Sequence, residues 1–335
     1  MNKVIKLEKP VAITAHSCVG GKKEGEGPLR DGFDLVSSDD YFGAKSWEKA
    51  ETEMQKRSLK ILMEKRNINP EDICVALGGD LCDQITSTAY NYRDFPIPFL
   101  GLYNACSTMS ESLAIGSCLV SGGFVDNALT GVSSHFATAE RQFRTPMDYG
   151  GKRTPTAQWT VTGAAHIFLE REGMGPFISR VSFGRIVDLG VKDANNMGAA
   201  MAPAAAQTLI NYFKETGKKP DEYDRIFTGD LGRVGSDLLK QLASKEGLDL
   251  TNHRDCGLII FNKDRQNVGA GASGCGCSAC VLSSFILPKM VNREIRKVLF
   301  MATGALLSPT TTMQKESIPS IAHLVEIVSD KEDII

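Results

Sequence analysis

The sequence predicts an α/β fold built from two similar halves. Short apolar segments alternate with longer segments whose apolar residues recur at helical spacing, and this alternation favours a largely parallel sheet flanked by helices. The tripeptide Gly-Asp-Leu follows a short apolar run at residues 79–81 and again at residues 229–231. Residues 128–133 and 301–306 give a weaker match in the same order, so a duplicated unit is favoured.

The composition is that of a soluble globular chain. Of the 335 residues, 42% are hydrophobic and 23% are charged, which suffices for a sizeable core. The formal net charge is −2, and this near balance argues against a nucleic-acid-binding protein, which usually carries a basic excess. We therefore expect no nucleic-acid partner.

The sequence predicts neither a secretion signal nor a transmembrane segment. No stretch reaches the roughly 18 apolar residues needed to cross a bilayer, and residues 1–11 mix charged residues with single apolar ones. The nine cysteines are an odd number scattered along the chain. They predict reduced thiols in a cytoplasmic setting.

The elements of the first half follow in a regular order. The helical spacing of Ala50, Met54, Leu59 and Leu62 predicts a helix over residues 46–66. Short apolar runs typical of buried parallel strands come next, with one further helical segment between them. These segments predict strands over residues 73–77, 98–103 and 127–132 and a helix over residues 107–119.

A turn-like segment, residues 171–176, lies near the middle of the chain and separates the halves. We divide the chain into an N-terminal half, residues 1–185, and a C-terminal half, residues 186–335. In the second half, a run of small residues at 197–206 predicts a tightly packed helix, and residues 226–230 predict a buried strand.

Cys106 lies between a predicted strand and a predicted helix, and it is the candidate nucleophile. The pattern from Thr108 to Glu111 fits the T-x-x-E capping box of a helix N-terminus. The free N–H groups and the positive dipole end at such a place lower the pKa of a thiol and can hold an anion. The alternative is a small buried cysteine with a structural role only.

This strand–Cys–helix elbow resembles the nucleophile elbow of the thiolase-like superfamily, which includes condensing enzymes of the ketoacyl synthase type. The resemblance implies a thiolase-like α/β fold, in which two pseudo-symmetric βαβαβαββ halves pack as five layers (αβαβα). The duplicated halves agree with this fold. The resemblance also implies a homodimer that pairs through the strand at residues 127–132.

Six motifs along the chain resemble, in order, the stage V sporulation protein AD family. They are Ala-Cys-Ser-Thr at 105–108, Thr-Ala-Glu-Arg-Gln-Phe-Arg at 138–144, Met-Ala-Pro-Ala-Ala-Ala at 201–206, Thr-Gly-Asp-Leu at 228–231, Gly-Cys-Gly-Cys-Ser-Ala at 274–279 and Thr-Gly-Ala-Leu-Leu-Ser-Pro at 303–309. The resemblance implies a non-catalytic spore protein that binds dipicolinic acid (pyridine-2,6-dicarboxylate) for its uptake into the developing spore. It implies membrane proteins of the same sporulation transport system as partners, and a peripheral place at the spore inner membrane.

The catalytic partners of a condensing enzyme are missing where the resemblance places them. Such enzymes combine the Cys with His and Asn or with two His. No His follows the strand at residues 226–230, and neither His nor Asn stands in the loop 271–277. Only His135 follows a strand and could approach the pocket, whereas His166 is interpreted as a core residue. The pattern favours a binding pocket over an acyl-transfer or condensing enzyme that uses Cys106, and over a scaffold for membrane transport partners.

A binder of a small aromatic dicarboxylate needs anion donors and a flat apolar slot. The candidate ligand-binding residues with donor groups or close-approach backbone are Cys106, Ser107, Ser133, Ser134, His135, Gly274 and Cys275. Asp80 and Asp230 complete the set. Each is predicted to cap the helix that follows it; the alternative is a Ca²⁺ ion that bridges the carboxylate to the ligand.

No cofactor or resident metal is predicted, apart from Ca²⁺ carried as the ligand chelate. The cysteines at 275, 277 and 280 do not have the spacing usual for zinc, and they lie among small residues. The segment 143–159 holds Arg144, Lys152 and Arg153, which form either a solvated loop or an electropositive rim that attracts a dianion.

Overall fold

A computed structural model of the chain describes residues 4–143 and 153–334, and no helix in these two ranges is long and apolar enough to cross a membrane. The strands are β1 (Val4–Gly20), β2 (Leu35–Val36), β3 (Ala76–Gly79), β4 (Phe99–Gly101), β5 (Asn127–Ser134), β6 (Trp159–Thr160), β7 (Gly163–Glu170), β8 (Phe177–Ser182), β9 (Arg225–Thr228), β10 (His253–Asp255), β11 (Ala272–Ser273), β12 (Lys297–Ala305) and β13 (Ser320–Val328). The helices are α1 (Lys22–Gly25), α2 (Trp47–Arg66), α3 (Thr86–Arg93), α4 (Thr108–Ser121), α5 (Phe136–Phe143), α6 (Met197–Thr216), α7 (Gly232–Lys245), α8 (Cys256–Ile259), α9 (Cys275–Val281), α10 (Leu287–Val291) and α11 (Pro309–Met313).

The main sheet repeats one strand order twice. Its order is β10-β9-β12-β13-β8-β1-β7-β5-β3-β4. In the first half, β3 runs parallel to β4 and β5, and β7 runs antiparallel to β5 and β1. In the second half, β9 runs parallel to β10 and β12, and β13 runs antiparallel to β12 and β8. Because order and strand direction recur, the prediction of an α/β fold with two similar halves is confirmed.

The sequence repeats occupy equivalent places in the two halves. Gly-Asp-Leu begins at the last residue of β3 in the first half and directly after β9 in the second, and the weaker match falls on β5 and β12. The equivalent strands β1 and β8, one from each half of the sheet, pair antiparallel at its centre. The division that we place after residue 185 follows β8, so it leaves this strand of the second half of the sheet in the N-terminal part of the chain.

The helices and the two halves of the sheet form five layers. α2 and α3 pack on the outer face of the first half, and α6 and α7 pack on the outer face of the second. α4 lies between the halves and contacts strands of both, while α9 packs on α4, β5 and β7. Small residues allow this close packing in the middle layer: a Cβ on Gly276 of α9 would lie 2.4 Å from the carbonyl oxygen of Gly163.

The helix predicted over residues 46–66 is confirmed as α2. The Ser46 side chain accepts a hydrogen bond from the Lys49 N–H and so caps the first turn. Met54 and Leu62 on the predicted apolar face are fully buried. Asn67, with φ of 55°, ends the helix in the left-handed region. Local sequence signals therefore suffice to define this element.

α4 does not begin with the predicted capping box. The chain enters it through a 3₁₀ turn, Ala105–Ser107, so Thr108 is already helical. The Thr108 hydroxyl donates to the carbonyl oxygen of Ala105 instead of accepting from the N–H of Glu111. The tight turn replaces the side-chain cap.

Two features of the predicted strands are wrong. β3 and β4 cover only residues 76–79 and 99–101. The strand at residues 127–132 belongs to β5, which lies between β7 and β3. It cannot pair two subunits as predicted, because both of its edges already carry hydrogen bonds to neighbouring strands.

His166 lies in the core, as predicted. It belongs to β7, its side chain is fully buried, and its Nδ1 lies 3.0 Å from the hydroxyl oxygen of Ser58. Burial lowers the pKa of the imidazole to about 3, so the ring is neutral in the folded protein. The ring also occupies the space beside Gly131, where a Cβ would lie 2.3 Å from the His166 Cδ2.

Candidate functional site

Cys106 stands on a strained turn between β4 and α4. Ala105 has φ of 50°, an uncommon value for a residue with a side chain and one that clusters at functional sites. The hydroxyl of Ser107 donates to the carbonyl oxygen of Asn104 at 2.6 Å, and the Asn104 N–H donates to the Thr108 hydroxyl. These bonds hold the turn from both sides. The hydroxyl of Ser107, a predicted ligand donor, therefore donates its hydrogen bond within the turn.

A cavity of about 270 Å³ lies against the elbow, and Cys106 forms part of its wall. Most of the lining is apolar, and the polar members carry hydroxyl groups or, in one case, a carboxylate. The lining residues are Leu81, Asp83, Tyr103, Ala105, Cys106, Ala139, Phe143, Thr160, Met197, Ser273, Ala305, Leu306, Leu307, Ser308 and Thr311. Among these residues there is no lysine, arginine or histidine.

Asp230 lies behind the Cys106 thiol. Its carboxylate accepts hydrogen bonds from the Gly274 N–H at 3.0 Å and from the Thr303 hydroxyl at 2.9 Å. Burial raises the pKa of the Asp230 carboxyl to about 6, although these hydrogen bonds and the neighbouring Cys106 thiol act in the opposite direction.

Cys106 is a thiol rather than a thiolate at neutral pH. Burial raises its pKa well above the ordinary value, and the adjacent Asp230 carboxylate raises it further. The predicted lowering by the helix N-terminus is wrong, because desolvation and a neighbouring negative charge both disfavour the thiolate. The cysteine can donate a hydrogen bond, but it is poorly prepared to attack an acyl group.

The prediction that Asp230 caps α7 is also wrong. The cap comes from Asp255 at the end of β10, whose carboxylate accepts from the N–H groups of Leu231 and Gly232. Because Asp255 takes these donors, Asp230 turns toward the elbow. Asp80, its counterpart in the first half, accepts from the N–H and hydroxyl of Thr88 in the first turn of α3, as the capping alternative requires.

The predicted donors at the end of β5 lie beside the cavity lining rather than in it. The Ser133 hydroxyl donates to Glu51 at 2.7 Å, and the Ser134 hydroxyl donates to the carbonyl oxygen of Val161 at 2.7 Å. His135 is buried; its Nδ1 accepts from the Ala137 N–H, so its Nε2 carries the proton and donates to the carbonyl oxygen of Asp40 at 2.8 Å. These groups order the scaffold around α5.

Gly274 and Cys275 lie directly behind the site. Gly274 has φ of 103°, and a Cβ there would lie 2.5 Å from the Ser134 hydroxyl oxygen, so the position requires glycine. The Cys275 thiol donates to the carbonyl oxygen of Ser133, and the Cys277 thiol to that of Gly229. In the described ranges no group of His, Cys, Asp and Glu side chains is arranged to hold a metal ion.

The mouth of the cavity contains residues that sequence reasoning missed. Tyr103 and Gln142 each donate to the Asp83 carboxylate, at 3.1 Å and 2.9 Å. The opposite wall comes from residues 306–308 and Thr311, which follow β12. The family motif at 303–309 covers residues 306–308, and its Ser-Pro pair starts α11, but neither signal predicts a cavity wall.

The proposed electropositive rim is only partly visible. Arg144 and Lys152 lie outside the described residues. Arg153 donates to the carbonyl oxygen of Gln158 at 2.7 Å, and its guanidinium stacks 4.9 Å from the centre of the Trp159 ring. These contacts fix Arg153 against the loop.

The whole chain matches a known protein family. The family model for stage V sporulation protein AD matches residues 1–328. A stage V sporulation protein AD from Bacillus subtilis (strain 168) is 43% identical over 318 residues, which are 95% of this chain and 94% of that protein. The chain belongs to the stage V sporulation protein AD family. It is thus a sporulation protein, as the six motifs indicate.

Solved structures identify the fold of this stage V sporulation protein AD family member. Two substituted forms of OleA from Xanthomonas campestris superpose with TM-scores of 0.60 and 0.61, each at 13% sequence identity. The first covers 97% of this chain and 100% of its own, the second 97% and 99%. At this identity the likeness concerns the fold alone, and it confirms the thiolase-like architecture.

Proposed function

We propose that this protein binds dipicolinate in the cavity beside Cys106 and takes part in its uptake into the developing spore, without catalysing a reaction. One observation carries the non-catalytic part. The Gly274 N–H and the Thr303 hydroxyl hold a carboxylate, Asp230, near the thiol, where its negative charge raises the Cys106 pKa, whereas a condensing enzyme needs a group there that activates the thiol. The Asp230 carboxylate favours the protonated form of the Cys106 thiol, and we therefore assign the elbow to a binding site.

The cavity wall suits a flat aromatic ring that carries two carboxylate groups. Apolar side chains such as Leu81, Phe143 and Leu307 can face the ring, while the hydroxyls of Thr160 and Ser273 can donate to carboxylate oxygens. Membership of the sporulation family supports dipicolinate as the ligand.

The charge of the site supports the calcium chelate over the free dianion. Asp83 lines the cavity and Asp230 lies behind it, whereas the lining residues within 4–143 and 153–334 include no cation. Ca²⁺ prefers carboxylate oxygens and would offset the repulsion between these acids and the ligand. The Ca²⁺ belongs to the ligand in this proposal, and no resident metal is involved.

Isothermal titration of the protein with dipicolinate, in the presence and absence of Ca²⁺, tests the proposal. We expect binding with one ligand per chain, tighter with Ca²⁺, and no binding of the isomer pyridine-3,5-dicarboxylate. Equal affinity with and without Ca²⁺ would rule out the calcium chelate as the preferred ligand. If the protein retains no dipicolinate in either condition, the binding function is wrong and a scaffold role is favoured instead.

An acyl-transfer enzyme is the second candidate, because Cys106 does line a cavity at the elbow of a thiolase-like fold. Incubation with an acyl-coenzyme A followed by mass spectrometry separates the two proposals. A stable acyl adduct on Cys106 would favour the enzyme, whereas an unmodified thiol agrees with the binding function.

Uptake into the spore requires a route through a membrane. We propose that membrane proteins of the same sporulation transport system receive the ligand from this protein at the spore inner membrane. Co-purification from sporulating cells with and without dipicolinate synthesis would test the contact, and it should depend on the loaded state of the cavity.

A further inference from the structure

His323, a buried histidine of β13, joins the elbow to the second half of the molecule. It is 5% exposed and does not line the cavity. Its Nε2 lies 2.9 Å from the side-chain amide of Asn104, and its Nδ1 accepts a hydrogen bond from the Gly184 N–H at 3.2 Å. Both ring nitrogens therefore have partners, which come from segments far apart in the chain.

The two contacts fix the position of the proton on the His323 ring. Burial lowers the pKa of His323 to about 4, so the imidazole is neutral near pH 7 and carries one proton. Because Nδ1 accepts from Gly184, this proton lies on Nε2 and is donated to Asn104. We assign the amide oxygen of Asn104 to this contact, because its nitrogen would oppose a second donor.

Asn104 connects this contact to the strained turn that carries Cys106. Its carbonyl oxygen accepts from the Ser107 hydroxyl and its N–H donates to the Thr108 hydroxyl, so its backbone is part of the turn. Ala105, with φ of 50°, follows directly and precedes Cys106. A conformation of this kind persists only where surrounding contacts hold it. The bond from His323 is such a contact, and it comes from outside the turn.

The elbow also lies close to the strand beside β13. A Cβ on Gly304 of β12 would lie 2.7 Å from the Asn104 carbonyl oxygen. β12 and β13 are neighbours, and His323 is opposite Ala302 in their register. The Asn104 backbone therefore lies against β12, while its side chain reaches the next strand and meets His323 there.

We propose that His323 is a positioning residue: its hydrogen bond to Asn104 holds the elbow, and with it Cys106 and the adjoining cavity wall, in the conformation that receives the ligand. His323 acts through Asn104 and not on the ligand itself. The identity of that ligand rests on the proposed function, whereas the position of the elbow can be measured without a ligand. Loss of the bond should release the turn, expose the Cys106 thiol more often and weaken binding.

Alkylation by the neutral reagent iodoacetamide, followed by peptide mass spectrometry, measures the position of the elbow. The rate at Cys106 is compared with the rate at the exposed Cys74 of the same molecule. The fully buried Cys256 reports a general opening of the fold. A change at Cys106 alone therefore identifies the elbow, whereas a destabilised fold accelerates Cys106 and Cys256 together.

Two substitutions of His323 separate its two contacts. His323→Gln places an amide near the position of Nε2 and keeps a donor for Asn104, whereas His323→Asn places its amide near Nδ1 and keeps only the contact with Gly184. We expect His323→Asn to raise the alkylation rate of Cys106 roughly threefold to tenfold, and to weaken dipicolinate binding by a similar factor, with Cys256 unchanged. His323→Gln should stay close to the wild type in both measurements.

Asn104→Leu tests the same bond from its other end. It should accelerate alkylation of Cys106 as much as His323→Asn does, and the double variant should add nothing to either single change, because both remove one bond. The matched control His166→Asn alters another fully buried histidine, which bonds to Ser58 instead of the elbow. This control should leave the Cys106 rate unchanged.

An unchanged Cys106 rate in His323→Asn, or a rate in His323→Gln as high as in His323→Asn, would overturn the role of His323. Equal acceleration at Cys106 and Cys256 would also overturn it, as would an unchanged dipicolinate affinity in His323→Asn when the wild type binds. If the rates change as expected and the wild type does not bind dipicolinate, His323 still positions the elbow and the proposed ligand is wrong. If His323→Asn does not fold, Asn104→Leu decides in its place, because it breaks the same bond.

Discussion

At the scale of single residues, burial governs the chemistry of the site. The Cys106 thiol, the Asp230 carboxyl and the His166 imidazole all have pKa values shifted toward the neutral form, with desolvation as the largest cause. None of these groups has a buried ion-pair partner among the residues that shift its pKa. The surroundings of these three groups therefore favour their neutral forms.

Cys106→Ala should weaken binding of the dipicolinate–Ca²⁺ complex only modestly, by about threefold to tenfold, because it removes one weak donor and a small contact. The fold should persist, and circular dichroism and the melting temperature check this. Cys118→Ala, on the helix that follows the elbow but away from the cavity lining, is the control. Unchanged affinity in Cys106→Ala would place the binding site elsewhere.

His166 makes stability depend on pH. Its pKa is about 3 in the folded protein against an ordinary value of 6.5, so only the unfolded chain takes up a proton between these values. The free energy of unfolding should fall on acidification below pH 6.5, by up to ~1.4 kcal/mol per pH unit from this group. Urea denaturation at pH 7.0 and 5.5 should show a smaller loss for His166→Gln than for the wild type; equal losses would contradict the assignment.

At the scale of elements, the central helices depend on small residues. α9 is buried along its whole length and carries Gly, Ala, Ser or Cys at six of its seven positions, so backbones approach closely. This packing places Gly274 against Asp230 and Cys275 against β5. Helical propensity is low in such a run, and tertiary packing supplies the stability instead.

Gly276→Ala should destabilise the protein by about 1–3 kcal/mol, because the added Cβ would lie 2.4 Å from the Gly163 carbonyl oxygen and 2.7 Å from the Ser134 hydroxyl oxygen. Gly116→Ala on α4 is the control. There the nearest atom is the mobile end of the Leu169 side chain at 3.0 Å, so a smaller loss is expected. Chemical denaturation measures both, and equal effects would argue against a rigid contact at Gly276.

At the scale of the whole molecule, the two similar halves pair with each other at the centre of the sheet. In the described part of the chain, each half ends in a strand with no further neighbour. β4 ends the first half of the sheet and pairs only with β3 among the described strands. Its Leu100 is 48% exposed, and Tyr103 just beyond it is 50% exposed. A free edge with apolar side chains is a template for pairing with another chain.

We therefore expect a homodimer formed through β4 rather than through β5. Sedimentation velocity at micromolar concentration should give the mass of two chains for the wild type and of one chain for Leu100→Lys. Val291→Lys, at a position that is 58% exposed on α10, should leave the dimer intact. A monomeric wild-type protein would contradict the expectation.

The sequence by itself determined the features that depend on neighbouring residues. The bounds of α2, the strand–Cys–helix elbow and the duplicated order could be predicted because helical spacing, caps and repeated motifs are local signals. The core position of His166 followed from the apolar strand around it. The family motifs extended these signals to the whole chain.

The tertiary structure alone decided which groups meet. Asp230 and Asp255 both stand near the start of α7, and only the register of β9 and β10 gives the helix cap to Asp255 and turns Asp230 toward Cys106. Desolvation then reversed the expected shift of the Cys106 pKa, because burial is set by the other half of the molecule. Contacts between residues far apart in the chain leave no local pattern, and so the charge of the site could not be read before the two halves were packed together.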